Sequence, residues 1–431
     1  KNKKFHDKVE FEVLFTCYTP SSEKKIKSEL KNKFKKSDIV KIINSLKQIN
    51  ILSFDNFLED IKKIEILKKK QREIEYSSMY HIDKIYWLVE DCKKYGTLPF
   101  AGLARNAFIA IDILNSLEKE KIISKEKVKN FMTQINTITS NIYNDSIKLQ
   151  KSDFLKLYGH LRPNTYEISS QNYREGYNYY FGKLNKKKVK LSRKNINFST
   201  KEKKAINKYL KKSGSNYNFK NFIKYIKESI TLREYSKFIF SKSIDLIFEN
   251  LKLFGKRLNL SKDDLSFLKI NNITELYYNL SFNNIKKGFE NEIIVNKNDY
   301  YINHNLKLPE TIINPEDIYF YNENENKINY VGNKSVISEI CNLKELKLKQ
   351  NYLKNKIVCI ESADPGFDFI FLSNIKGLIT KYGGVNSHMS IRCEELNKPA
   401  VIGIGDKNFE EICKISNIIL DCKEKKINII N

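Results

Sequence analysis

The segment Thr380-Lys-Tyr-Gly-Gly-Val-Asn-Ser-His388-Met-Ser-Ile-Arg392 carries the densest chemistry in the chain. A short β-branched run ends at Thr380, and Gly383-Gly384 then permit a tight turn and close backbone approach by a bulky ligand. Asn386 or Ser387 is a good N-cap for a helix running on to Leu396. That places His388 on the first helical turn, where unpaired N–H groups and the helix dipole favour an anion. A neutral imidazole is a nucleophile, and an ordinary histidine is largely neutral near pH 7. Once phosphorylated there, it would be stabilised by the helix mouth and by the Ser387 hydroxyl, with Arg392 one turn on to neutralise phosphate oxygens. The plain alternative is a helix-capping histidine with a structural role.

A second cluster lies in Tyr158-Gly-His-Leu-Arg-Pro-Asn-Thr-Tyr-Glu-Ile-Ser169. His160, Arg162, Thr165, Tyr166 and Glu167 put a base, a cation, hydroxyls and a carboxylate within eight residues, and Gly159 and Pro163 make the segment a loop. The alternative is a structural loop whose Arg–Glu pair holds two helices together. Arg105, in Tyr95-Gly-Thr-Leu-Pro-Phe-Ala-Gly-Leu-Ala-Arg105, opens an amphipathic helix and reads equally as a binding or a surface residue. His6, His81 and His304 have no motif around them. The Tyr-rich run Tyr173–Phe181 reads as a packed strand or turn.

The elements that must position these residues fall into two patterns. Up to about residue 285 the chain reads as mainly helical. Phe240, Ile244, Ile247, Leu251 and Phe254 form one stripe of a helix from Arg233 to Phe254, with Gly255 as its terminator. Another helix is expected from Leu103 to Leu117 with Phe108, Ile111 and Leu114 inward, and Phe57–Glu73 reads as a long, solvent-edged helix. Lys186–Lys204 is expected to be a surface loop. A loose Asn/Lys-rich stretch runs to about Asn305. Beyond it, short strands at Ile357–Ile360, Gly377–Thr380, Ala400–Ile402 and Ile418–Leu420 alternate with helical segments at Phe367–Asn374, His388–Leu396 and Asn408–Lys414. The expected architecture is multidomain: a mainly α-helical domain over 1–300, then a compact α/β domain over 301–431.

Composition narrows the function classes. The chain has 431 residues, 41% of them hydrophobic, and a net charge of +26. That charge invites nucleic acid or an anionic membrane. Only eight of the 77 basic residues are Arg, however, and bidentate base and phosphate contacts lean on Arg. No nucleic-acid partner is expected, although a basic nucleic-acid-binding protein is the rival class. No apolar run approaches the ~18 residues that span a bilayer, so no membrane is expected. Seven scattered cysteines without a CxxC pair fit reduced thiols of a cytoplasmic protein and no metal site.

The stretch Gly377–Gly403 resembles the swivelling phosphohistidine domain of the PEP-utilising enzyme family, whose members include pyruvate phosphate dikinase, PEP synthase and rifampin phosphotransferase. The family pattern is a Gly-Gly turn, Ser/Thr/Cys-His, a short helix, then Pro-Ala-Val-x-Gly. All of it is present here as Gly383-Gly384, Ser387-His388, Pro399-Ala400-Val401 and Gly403, and Asp364-Pro365-Gly366 also fits. The resemblance implies that His388 is phosphorylated from ATP and donates to an acceptor. The two upstream segments, with Leu232-Arg-Glu-Tyr235, are most similar to the L-glutamine kinases of bacterial capsule loci, which phosphorylate the side-chain amide of glutamine for phosphoramidate synthesis. For such an acceptor, Arg162 or Arg105 would meet the carboxylate, Glu167 the ammonium, and His160 or Glu167 would take the amide proton.

The sequence departs from the full family pattern in two respects. No Gly-rich phosphate loop or paired Mg²⁺ carboxylates are visible, so ATP and Mg²⁺ are expected at an ATP-grasp domain preceding Lys1, with none bound to this stretch. The 43 residues after His388 leave no room for the pyruvate-binding barrel of the dikinases, which argues against pyruvate as acceptor. A kinase of another small molecule, such as an antibiotic hydroxyl, is the enzymatic alternative.

Overall fold

In a computed structural model, residues 17–132, 134–135, 138–181, 196–213, 215, 217–278, 285–306, 315–319, 328–343, 352–384 and 387–430 are described. His6, Asn386 and the first part of the Lys-rich run, 186–195, lie outside them.

The helical part comprises α1 (Pro20–Leu30), α2 (Lys36–Glu75), α3 (His81–Cys92), α4 (Leu98–Lys119), α5 (Lys125–Met132), α6 (Ile138–Lys148), α7 (Lys151–Tyr158), α8 (Tyr177–Phe181), α9 (Thr200–Lys212), α10 (Phe219–Arg257), α11 (Lys262–Ser266), α12 (Ile270–Glu275) and α13 (Ile285–Asn305). The 39-residue α10 is the spine, packing on α2, α3 and α4. Its stripe feeds two cores. Phe222, Tyr225, Ile226, Ile239 and Phe240 meet Leu67, Leu103 and Leu114 in one. Ile247 and Leu251 meet Ile85, Leu88 and Phe289 in the other.

Several sequence expectations change here. Gly255 is the third residue from the end of α10, not its terminator. A Cβ there would lie 2.8 Å from the Leu265 side chain, which packs against this glycine. The inward face of α4 is Leu103, Ala107, Ala110, Ile113, Leu114 and Leu117, with Phe108 and Ile111 half-buried at its margins. The Asn/Lys-rich stretch is helix α13, anchored by Phe289 and Ile293, and it runs through residue 300 to Asn305. Thr200, inside the expected Lys-rich loop, opens α9 behind a capping box from Ser199 and Glu202. The turn Lys93–Thr97 joins α3 and α4 into one stretch, His81–Lys119, that by length and composition is apolar enough to cross a membrane. Half of its most apolar window is buried, against α2 and α10.

The C-terminal part holds β1 (Asn329–Val331), β2 (Ser335–Asn342), β3 (Ile357–Ser362), β4 (Gly377–Tyr382), β5 (Ala400–Ile402), β6 (Asn417–Asp421) and β7 (Lys426–Ile430), with α14 (His388–Glu395), α15 (Asp406–Cys413) and a 3-10 helix, Pro365–Ser373. The strands form one sheet in the order β1-β5-β4-β3-β2-β6-β7. Strands β2 to β5 pair in parallel through β3 and β4, and the outer pairings are antiparallel. Side-chain alternation along β3 serves both faces. Ile357 and Cys359 pack under α15 with Phe409 and Ile412. Val358 and Ile360 pack with Met389 and Cys393 of α14 and Ile370 of the 3-10 helix.

This second core continues into the helical part. Phe154, Tyr173, Tyr180 and Phe181 belong to the same cluster, and the Tyr180 and Phe369 rings lie 4.8 Å apart. The Tyr-rich run is therefore the aromatic seam between the two parts, folded as a helical turn rather than a strand.

Candidate phosphohistidine site

Strand β4 delivers the chain to Gly383, whose φ of +133° is open to glycine and strained for other residues. A Cβ there would also lie 2.7 Å from Ala363. The Ser387 N–H donates to the Gly384 carbonyl at 3.0 Å. Ser387 is the N-cap of α14, its hydroxyl accepting from the Ser390 N–H at 3.3 Å. His388 is thus the first residue of the helix, with its ring at the mouth.

The ring is enclosed, its side chain 10% exposed, between carboxylates rather than apolar groups. Asp368 Oδ1, from the 3-10 helix, lies 2.8 Å from Nε2. Glu234, from the middle of α10, lies 3.9 Å from Nδ1. Burial alone would push the imidazole pKa down, but Asp368 and then Glu234 outweigh it and raise it to about 9. Burial likewise raises Glu234, but its contact with His388 and the charge of Arg233 win and hold it down at about 2. His388 is therefore an imidazolium in this arrangement. The neutral nucleophile expected from an isolated ring is favoured where the Glu234 contact is lost.

Arg392 is almost fully buried, its Nε 3.7 Å from Asp368 Oδ1 and its guanidinium over the Phe371 ring. Asp368 Oδ2 is buried with no hydrogen-bond partner among the described residues. Across the junction, Arg233 donates to Glu234 at 2.9 Å and lies over the Phe108 ring.

The loop expected to bind an acceptor is largely committed to packing. His160 is buried, with Nε2 donating to the Phe238 carbonyl at 3.1 Å. Burial drives its pKa to about 3, against a smaller opposing pull from that carbonyl. Arg162 is buried against Asp245 of α10 and donates to the Ser170 carbonyl at 3.2 Å. The pairing that joins loop to helix is thus Arg–Asp, not Arg–Glu. Glu167 caps its own turn, accepting from the Ser169 N–H and hydroxyl. Tyr166 is 69% exposed, and Arg105 is exposed on α4.

The loop does meet the α/β part. Thr165 Oγ1 donates to Asp364 Oδ2 at 3.3 Å, and Ser362 Oγ donates to Asn164 Oδ1 at 3.1 Å. Sequence reasoning did not select Asp368, Arg233 or Glu234 as site residues. The last two lie in the Leu232–Tyr235 segment that carried part of the resemblance, but a helical position alone does not say which partner it faces.

Among the described residues no three His, Cys, Asp or Glu side chains are grouped as metal ligands. None of the seven cysteines is in a disulfide. No curated protein matches the chain. Residues 353–425, which contain the glycine turn, Asp368, His388 and Arg392, match the family model described as PEP-utilising enzyme, mobile domain, which supports phosphohistidine-based phosphotransfer in general.

Proposed function

We propose that this chain is the carrier and acceptor portion of an ATP-dependent cytoplasmic phosphotransferase, with His388 as carrier and the side-chain amide of L-glutamine as acceptor. The observation that carries the reading is the place of His388: on the α/β part, at a helix mouth, facing Glu234 of the helical part, which is itself paired with Arg233. A phosphoryl carrier needs such a position at the boundary between the body that moves it and the body that receives from it.

In the proposed cycle, neutral His388 attacks the β-phosphoryl of Mg-ATP at an ATP-grasp domain of the same protein. The bond between the β-phosphorus and the oxygen that bridges it to the α-phosphoryl breaks, and that oxygen leaves with AMP, giving a pyrophosphorylated ring. Water releases the terminal group as inorganic phosphate. The remaining phosphoryl is carried to the helical part and transferred to the amide nitrogen. Two sites served by one nucleophile keep the half-reactions apart, and the domain motion between them sets a limit on the rate. Transfer itself rests on positioning and charge neutralisation, for which Arg392 and Arg233 are placed.

The test is mass spectrometry of full-length protein incubated with Mg-ATP, followed by phosphorus NMR with L-glutamine. An acid-labile phosphate that is lost in His388→Asn, and a phosphoramidate signal on adding glutamine, are expected. A label that persists in His388→Asn overturns the carrier assignment. Silence with glutamine and a signal with a hydroxyl compound reassigns the acceptor.

A further inference from the structure

Two carboxylates face the His388 ring, and they belong to different bodies. Asp368 lies on the 3-10 helix of the α/β part and travels with the ring. Glu234 lies on α10 and meets the ring only where the α/β part is docked on the helical part. Asp368 therefore serves every state of the carrier, and Glu234 serves acceptor chemistry alone.

Building on the phosphotransfer reading above, we propose that Glu234 is the proton carrier of the acceptor step, taking the proton of the attacking atom and passing it to the ring nitrogen that phosphorus leaves. The acceptor atom forms its bond to phosphorus as the N–P bond breaks, and that electron pair returns to the ring. The acceptor's proton moves to the Glu234 carboxylate and from there to the freed nitrogen. Phosphohistidine, its other ring nitrogen still carrying the proton it held as a neutral nucleophile, and the acceptor become imidazolium and phosphorylated acceptor, with no further reactant.

The surroundings of Glu234 suit both halves of the relay. On its own helix it faces Arg233 and Lys237, and across the junction it faces His388, behind which stand Asp368 and Arg392. With a dianionic phosphoryl on the ring, the carboxylate meets like charge, and its proton affinity rises when a base is required. After transfer the freed ring nitrogen carries a lone pair 3.9 Å away, and the carboxylate releases the proton to it, leaving an imidazolium. The arrangement in the structure, imidazolium beside carboxylate, is the end state of that relay. Arg233 Nε is buried with no hydrogen-bond partner among the described residues, which leaves a donor for a phosphoryl oxygen brought in by His388.

Full-length protein would be charged at His388 with Mg-ATP and, separately, chemically with phosphoramidate. Discharge into L-glutamine and into water would be followed by phosphorus NMR in wild type, Glu234→Gln and Glu234→Asp. Glutamine at position 234 keeps the size and hydrogen bonding but not the basicity. Its phosphohistidine is expected to persist about 100-fold longer, the usual scale of general-base catalysis. Aspartate should restore part of the rate, and the rise of the wild-type discharge rate with pH should flatten in Glu234→Gln. The His388 pKa, read by NMR, should fall in the same variant. Discharge of Glu234→Gln within about threefold of wild type, well short of the general-base scale, overturns the proposal. So does equal loss in both variants together with loss of charging, which marks a structural residue. A wild-type protein that neither donor charges at His388 overturns the phosphotransfer reading itself, and discharge into water but not glutamine overturns only the acceptor.

Discussion

The Tyr173 hydroxyl donates to the Gly366 carbonyl at 3.0 Å, tying the loop after α7 to the start of the 3-10 helix that carries Asp368. The contact leaves no room for a side chain. A Cβ on Gly366 would lie 2.1 Å from the Arg162 carbonyl oxygen, and backbone on both sides cannot yield as a flexible side chain would.

Gly366→Ala is therefore expected to separate docking from charging. The loop and the 3-10 helix can no longer close on each other, so His388 loses its place beside Glu234. Discharge to the acceptor should fall at least ~10-fold, because small misplacements in transfer are costly. Charging of His388 by phosphoramidate should persist. Equal discharge in variant and wild type would show that this seam does not set the geometry of transfer. Tyr173→Phe, which removes one hydrogen bond worth about 1 kcal/mol, should have a smaller effect in the same direction.

Arg162 and Asp245 make a buried pair, their side chains 1% and 2% exposed. Removing one partner strands the other charge. Arg162→Met is expected to cost about 3–5 kcal/mol in urea unfolding, and Arg162→Met with Asp245→Leu should recover much of it. The sequence suggested Arg162 as a clamp for an acceptor carboxylate. That role would appear instead as an unchanged unfolding midpoint with a raised KM.

The contrast between these residues shows what was legible in the sequence. The glycine turn, the Ser387 cap and His388 at N1 are set by neighbours within a few positions, and local chemistry suffices to place them. Strands β3 to β6 also read from short β-branched runs, whereas β1, β2 and β7 carry Asn, Ser and Lys and did not. Partners distant in sequence were illegible: Asp368 reaches His388 across 20 positions, and Glu234 reaches it only through docking of two bodies. Arg162 and Glu167 looked like a charge pair because they are near in sequence, yet folding gave the guanidinium to Asp245 and left Glu167 capping a turn. Helix α13 was hidden by its Asn and Lys content, since only Phe289 and Ile293 of its apolar residues are buried.

His160 provides a separate test of the loop. Its ring is held neutral by burial, with a pKa near 3, and its proton sits on the nitrogen facing the Phe238 carbonyl. His160→Gln, which keeps a donor, is expected to leave the pH profile of transfer unchanged. The folded-state pKa lies below the ordinary 6.5, so the unfolded chain binds the extra proton. The stability associated with this group is complete above about 6.5 and is lost as pH falls toward 3. Acid unfolding followed by circular dichroism should therefore show His160→Gln gaining on wild type across that interval. A transfer profile that loses a limb near neutrality in this variant would restore His160 as the base.

The His388–Glu234 contact should make docking alkaline-sensitive. For His388 the folded pKa is raised, against burial, from 6.5 to about 9, first by Asp368 of its own body and then by Glu234. Only the Glu234 share is therefore linked to docking, and that share is complete below 6.5 and is lost as pH rises through about 9. For Glu234 the value is lowered from 4.5 to about 2, so its contribution is complete above 4.5 and is lost as pH falls through about 2. The ion pair is whole between the two ordinary values and erodes on the alkaline side first. The aromatic seam of Tyr180 and Phe369 carries no charge in that range. Hydrogen exchange, corrected for its intrinsic pH dependence, should thus rise between pH 7 and 10 in peptides covering residues 230–238 and 388–395. Peptides around Phe369 should stay protected. His388→Asn should abolish the difference, because no group is left to titrate, while uniform protection across the range in wild type would mean that the pair does not hold the bodies together.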